Sequence, residues 1–265
     1  MPWREPGFGS TGLASGAGTS RPTRRDADGG NIVPCSQCPV ARVCLPADVP
    51  PEQVPRIEGM ILRQRSLNPG QYLYRVGEEF TSLFAVRSGC LKSTVPDPEG
   101  REQILNFHLA GEVLDFSAIY HLRYAGNAIA LSRVTVCHLS FSEILRLSQE
   151  FPQLVLGLLR IASCAALFTG RLGGDHRSQV RVAAFLVSLS SRLKALGLSA
   201  TEFELFMSRE DIANHLRLAP ETVSRVFTRM RADGVIAVQR RFVRVLDENQ
   251  LRQLAGPMMP YGWER

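Results

Sequence analysis

The pattern of apolar and polar residues changes character along this chain, and the changes divide it. From Gln64 to Phe141 apolar and polar residues alternate in short runs, broken by Asn68-Pro69-Gly70, Gly77-Glu78-Glu79, Ser88-Gly89, Pro96 to Gly100 and Ala110-Gly111-Glu112. Alternation between turn residues predicts β-strands. The runs are Tyr72-Leu73-Tyr74, Leu83 to Val86, Cys90 to Val95, Gln103 to His108 and two more between Asn127 and Leu139. Evenly spaced short strands predict an antiparallel roll or jelly-roll barrel. A short helix from Pro51 to about Leu62 precedes them.

Phe141 to about Leu172 then reads as one helix, apolar on nearly every face from Leu154 to Phe168. Such a helix must be covered all round, and a roll covers one side. A second copy of the chain supplies the other side, so a homodimer along this helix is expected. The plainer reading is a helix buried within one chain. Gly173-Gly174 ends the helix as a hinge. Beyond it, Val180 to Leu196 carries Val182, Phe185, Leu186 and Leu189 on one stripe and stops at Gly197. Ser208 caps a helix running to Leu216, Arg217-Leu218-Ala219 is a turn, and Pro220 opens a helix to about Ala232. Val235 to Val238 and Phe242 to Val245 form a hairpin across Gln239-Arg240-Arg241. Two helices across a tight turn followed by a β-hairpin make a winged helix-turn-helix.

The order is therefore a leader rich in Gly, Ser, Pro and Arg at residues 1–30, expected to be disordered, and a cysteine-rich segment at 31–50. A roll at 51–150 follows, then the long helix and hinge at 151–174, the winged helix-turn-helix at 175–256 and a tail at 257–265. The fold class is α+β. An apolar fraction of 45% over 265 residues suits a globular chain of more than one domain. The start lacks a signal-type apolar segment, and its Glu5, Asp26 and Asp28 argue against a transit peptide. The longest apolar run is interrupted by Arg160 and Arg171, so no membrane span is expected and the cytoplasm is the expected compartment.

The net charge of +6 matters through its distribution: seven arginines lie between Arg217 and Arg244 against Glu221 and Asp233. The second helix of the motif turns Val223, Val226, Phe227 and Met230 inward and offers Glu221, Thr222, Ser224, Arg225 and Arg229 outward. Arg225 can donate twice to guanine, Glu221 can accept from a cytosine amino group and Ser224 can touch a base edge or phosphate. Arg209, Arg217, Arg240 and Arg241 are expected on phosphates, giving affinity without base choice. The partner is thus double-stranded DNA. A solvated helix face would explain scattered arginines, but not their coincidence with this motif and its wing.

Cys35, Cys38 and Cys44 place three of the six cysteines within ten residues. Short loops bring such thiols together at little closure cost, and in a reducing compartment they point to a soft metal centre. A fourth ligand must come from Cys90, Cys137 or Cys164. The first stands at a strand start and the last in the apolar helix, where both read as small buried hydrophobes. His138 follows Cys137, but neighbouring strand residues face opposite ways. Thiolates also suit zinc, a structural or redox alternative. No Gly-rich dinucleotide loop, carboxylate pair or organised nucleophile is visible, so no catalytic residue is assigned and an iron-sulfur oxidoreductase is disfavoured.

With these residues in view, the chain resembles an Fnr-type member of the Crp/Fnr superfamily of transcription regulators. The resemblance is carried by Cys35, Cys38 and Cys44, by FHLAGEVLDFSAI from Phe107 to Ile119, by the strand ending in Cys137 and by MSREDIANHLRLAPETVSR from Met207 to Arg225. It implies a roll of the cyclic-nucleotide-binding type and a [4Fe-4S] cluster held by Cys35, Cys38, Cys44 and Cys137. It further implies an oxygen- or redox-sensitive dimer on a palindrome of TTGAT-like half-sites. The loop from Pro96 to Gly100 resembles a surface used for RNA polymerase. The family's nucleotide-binding relatives carry an arginine for the cyclic phosphate where this chain has Asn127-Ala128, so no cyclic nucleotide is expected. Between Gln153 and Arg171 the long helix has no acidic residue, which predicts little repulsion against pairing without the cluster.

Overall fold

The computed structural model describes residues 24–25, 31–44, 49–97, 99–172 and 176–258. Most of the leader, the Gly173-Gly174 hinge and nearly all of the tail lie outside these residues.

In chain order the elements begin with β1 (Arg24–Arg25), β2 (Asn31–Ile32), a 3-10 turn at Cys35–Gln37, α1 (Val54–Glu58), β3 (Ile61–Leu67), β4 (Tyr72–Tyr74) and β5 (Ser82–Ser88). Next come β6 (Cys90–Pro96), β7 (Glu102–Leu109), β8 (Val113–Leu114), α2 (Ala118–His121), β9 (Asn127–Ala130) and β10 (Val134–Ser140). The helices α3 (Phe141–Glu150), α4 (Pro152–Leu172) and α5 (Ser178–Ala195) follow, then β11 (Glu202–Glu204), α6 (Arg209–Leu216), α7 (Pro220–Ala232), β12 (Ile236–Gln239), β13 (Phe242–Val245) and α8 (Glu248–Ala255).

The roll is two antiparallel sheets, β3-β10-β5-β8 and β4-β9-β6-β7, and the wing is β11-β13-β12. Between the roll sheets lies one core, including Leu83, Val86, Leu91, Val134 and Val136, closed by Ile57, Ile144 and Leu154. A second core joins α5, α6, α7 and the wing to the outer face of β6 and β7 through Cys90, Ile104, Phe107 and Leu109. The pleat explains the division: Leu91 enters the roll and Cys90, its neighbour, enters the second core. The roll and the winged helix therefore share packed surface.

The structure differs from the sequence reading in particular places. The expected single helix from Phe141 to Leu172 is two, because the chain leaves helical geometry at Phe151 and restarts with Pro152 at its first position. A proline there loses no helical donor, whereas in a helix interior it would. The helix expected from Pro51 to Leu62 is a 3-10 turn followed by the five-residue α1, and β3 begins at Ile61. Arg24–Arg25, inside the expected disordered leader, pairs with Asn31–Ile32. Two elements of the winged domain, β11 and α8, were not foreseen. No helix among the described residues is long and apolar enough to cross a membrane.

Candidate cysteine centre and nucleic-acid interface

Cys137 lies on β10, the inner strand between β3 and β5, and is almost fully buried. The loop carrying Cys35, Cys38 and Cys44 covers this sheet, and all four sulfur-bearing residues line one cavity of about 30 Å³. Its other walls are mostly apolar, with Val40, Ile57, Ile61, Val86 and Leu139 among them. The loop is built tightly by Cys38 N donating to Cys35 O at 3.0 Å and Cys44 N to Val40 O at 3.0 Å.

Gln64 fastens this loop to the sheet. Its side-chain amide donates to Val33 O at 3.0 Å and accepts from Val33 N at 3.1 Å, and its Nε2 stands 3.5 Å from Cys137 Sγ. Arg87 donates to the Gln64 oxygen at 3.3 Å. Neither residue was foreseen as part of the site. The available signal was strand alternation, since Gln64 on β3 pairs across to Cys137.

Burial pushes the Cys35 thiol up to about 12, and Cys44, Glu58, Cys137 and Cys38 add to the rise. Cys137 rises to about 11 through burial and Cys38, against lowering by Gln64 and Arg87. Cys35 thus senses the other three thiols, and Cys137 senses Cys38. Among the described residues no three His, Cys, Asp or Glu side chains are gathered closely enough to hold a single metal ion. A cubane is different, because its four thiolates bind four separate irons and stand farther apart than ligands around one ion. The donor set, four thiols in an apolar pocket, fits that group in kind.

The other cysteines are elsewhere. Cys90 is fully buried beneath the winged domain, and its thiol is pushed up to about 12 by burial. Cys164 is half-buried on α4, where it lines a second, larger cavity of about 390 Å³ with Ile161, Glu112 and Arg192. The thiol expected to be buried is half-open because one chain covers only part of α4. His138 points away from the cysteine cavity, edge-on to Phe84 at 4.6 Å.

The helix-turn-helix matches its expected bounds. Ser208 and Asp211 form a capping box, with Asp211 N donating to Ser208 Oγ and Ser208 N to Asp211 Oδ2, each at 3.0 Å. Arg217 takes a left-handed conformation to make the turn, and Pro220 opens α7. Val223, Val226, Phe227 and Met230 are buried. Glu221, Ser224, Arg225 and Arg229 are exposed, and Thr222 is half-buried. Arg229 lies 3.9 Å from Asp233. Arg240, also left-handed, and Arg241 project at the wing turn. Arg209 departs from expectation: its guanidinium lies over the Phe227 ring at 3.5 Å, and burial lowers it to about 10. It braces α6 on α7 instead of reaching outward.

Residues 180–254 match the Crp-like helix-turn-helix domain and residues 64–151 the cyclic nucleotide-binding domain. The chain is 40% identical over 225 residues to the transcriptional activator protein Anr of Pseudomonas aeruginosa, covering 84% of this chain and 92% of that one. It is 34% identical over 242 residues to the fumarate and nitrate reduction regulatory protein of Escherichia coli K12, covering 88% and 94%. Among solved structures, FixK2 from Bradyrhizobium japonicum superposes with a TM-score of 0.65 at 25% identity, over 72% of this chain and 96% of that one. With its roll, its reader helix and these relatives, the chain belongs to the Crp/Fnr family as an Fnr-type DNA-binding transcription regulator, and it is not an enzyme.

Proposed function

We propose that this regulator is oxygen- or redox-responsive, with a [4Fe-4S] cluster on Cys35, Cys38, Cys44 and Cys137 controlling dimerisation and binding to a palindrome of TTGAT-like half-sites. The observation carrying this reading is that a loop thiol trio and one strand thiol, distant in sequence, line the same cavity. When bound, the cluster supplies an oxidant-sensitive crosslink between the 35–44 loop and β10. Apolar walls keep water from the thiolates, and Gln64 holds the loop's start against the sheet.

Dimerisation is supported by α4. Leu154 and Leu158 face the roll, while Leu156 and Leu159 remain about half exposed and Leu167 is 68% exposed. A two-fold pairing along α4 would cover them and set two α7 helices for two half-sites of a palindrome. RNA polymerase is the expected protein partner and the cytoplasm the expected site of action. A cyclic nucleotide is disfavoured because, among the described residues, the one guanidinium lining the larger cavity, Arg192, is bonded to Glu112.

Anaerobic purification should give a brown protein with about four irons per chain. Cys137→Ser should lose the colour and Cys164→Ser should keep it. A folded, colourless, iron-free chain would overturn the reading. One zinc without acid-labile sulfide would replace it with a zinc-thiolate site.

A further inference from the structure

We infer that the cysteine loop acts directly on the DNA-binding domain of its own chain, through Val43 and the Gly111-Glu112 turn onto the end of α5, in addition to any effect through α4 pairing. This rests on the cluster reading above.

Val43 is the residue before Cys44. Its side chain fills the space beside Gly111, so that a Cβ there would collide with it while lying 3.6 Å from Leu196 Cδ2 beyond α5. Loop, turn and α5 terminus thus meet at one point. Arg42 makes a second approach, its guanidinium 3.5 Å from where a Cβ on Gly197 would stand. Gly111 itself has φ +85°, a conformation that holds the turn in a shape few other residues take.

The next residue locks the turn to α5. Glu112 receives Arg192 Nε at 2.6 Å and Nη2 at 2.7 Å, and Arg192 also donates to Phe107 O. Arg192 is 8% exposed, and a buried pair of this kind tolerates little displacement of either partner. On its other side α5 shares a core with the inward stripe of the reader helix, Val182 and Leu186 with Val223 and Phe227. A shift of the turn is therefore a shift of α5 and, through that core, of α7. A second attachment limits how the domain can move: Lys92 pairs with Asp211 at 2.8 Å and Asn214 accepts from Ile104 N at 2.6 Å. These contacts tie α6 to β6 and β7 and make a natural fulcrum.

The stimulus follows from ligation. The 35–44 loop carries three of the four thiols and β10 the fourth, so a cluster held by all four would tie the loop to the strand and its loss would release the loop. Val43 precedes Cys44, so a change in the hold on the loop is felt where Val43 sits against Gly111. The larger cavity, bounded by Val43, Gly111, Glu112, Ile161 and Arg192, leaves the turn space in which to move.

The test is backbone hydrogen exchange on the full-length chain, anaerobic and cluster-loaded, then stripped of iron, with iron measured on each sample. In the wild type, exchange at residues 193–198 and 109–113 should differ between the two states by about five-fold or more, the lower range of measured site-to-site coupling. Val43→Ala, which should still bind about four irons, should shrink the difference at 193–198 to less than about two-fold, while α4 at 152–158 still responds to iron. Glu112→Gln, which does not line the cavity of the four candidate ligands, should do the same and keeps the inference testable if Val43→Ala loses the cluster. Equal exchange at 193–198 in both wild-type states would overturn the inference, as would two variants that respond as fully as the wild type. A wild-type chain that takes up no iron would overturn the cluster reading and this inference together, and the iron measurement identifies that case.

Discussion

Helices α4 and α7 invite comparison because both carry an apolar stripe and only one of them is satisfied within the chain. The stripe of α7, Val223, Val226, Phe227 and Met230, is buried against α5, α6 and the wing, and its polar face is left for DNA. On α4 the roll covers Leu154 and Leu158 and leaves Leu156, Leu159 and Leu167 in solvent. The difference teaches that the stripe of α7 is satisfied by folding, whereas that of α4 is left for the pairing proposed above. Losing a large apolar side chain from α7 should therefore appear in stability, and altering the open face of α4 should appear in oligomeric state.

The largest expected effect falls on the satisfied helix. Phe227→Ala removes a buried ring that also supports the Arg209 guanidinium, and should cost about 3–5 kcal/mol of folding stability, read from the denaturant midpoint. The matching change on α4, Leu159→Glu, should leave the folding stability of the single chain within about 0.5 kcal/mol, because the side chain is solvent-facing there. It should convert dimer to monomer in sedimentation and weaken palindrome binding by about 100-fold through loss of two-site attachment. A Leu159→Glu chain that remains dimeric would break the comparison and move the interface off this face.

A smaller effect tests the outward side of α7. Arg225→Ala should cost about 1–3 kcal/mol on the specific site and relax choice at one base pair. Equal losses on specific and random DNA would make Arg225 a phosphate contact and leave base reading to Glu221 and Ser224.

How far this organisation was legible depended on whether its cause was local. The bounds of α7 follow from Pro220 at its start and Asp233-Gly234 at its end, and its buried stripe follows from helical period, so both were readable. The break at Phe151 was signalled by Pro152, but a continuous apolar run concealed it. Helix α8 had its own marks, Asp247 accepting from Gln250 N and a spacing that buries Leu251 and Ala255. The β11 strand did not, since only Phe203 is buried between two exposed glutamates. Cys137 could be singled out only by resemblance, because proximity of β10 to the 35–44 loop is tertiary. The role of Gln64 and the core shared by β7 and α5 have the same origin. Burial of Cys90 and Phe107 under the winged domain depends on partners about a hundred residues away, which no local pattern specifies.

The smallest effect probes how α7 is presented. Ser208 is not in α7, but its hydroxyl accepts from Asp211 N and so starts α6, the helix on which α7 packs. Ser208→Ala should cost about 1 kcal/mol of stability, with little change in oligomeric state and no change in base preference. Asp211 adds a pH signature. Burial alone would raise its carboxyl, but hydrogen bonds from Lys92 and Ser208 together hold it below the ordinary value. A depressed folded value means that the stabilisation is complete above the unfolded carboxylate value of about 3.9 and is lost as pH falls through the folded one. Lys92→Met should thus lower stability at neutral pH and flatten the acid limb of the stability curve. Ser208→Ala should flatten it less, because the Lys92 contact survives. An acid limb unchanged by Lys92→Met would show that Asp211 serves only the cap, and that the roll holds α6 through Asn214 and the shared apolar core.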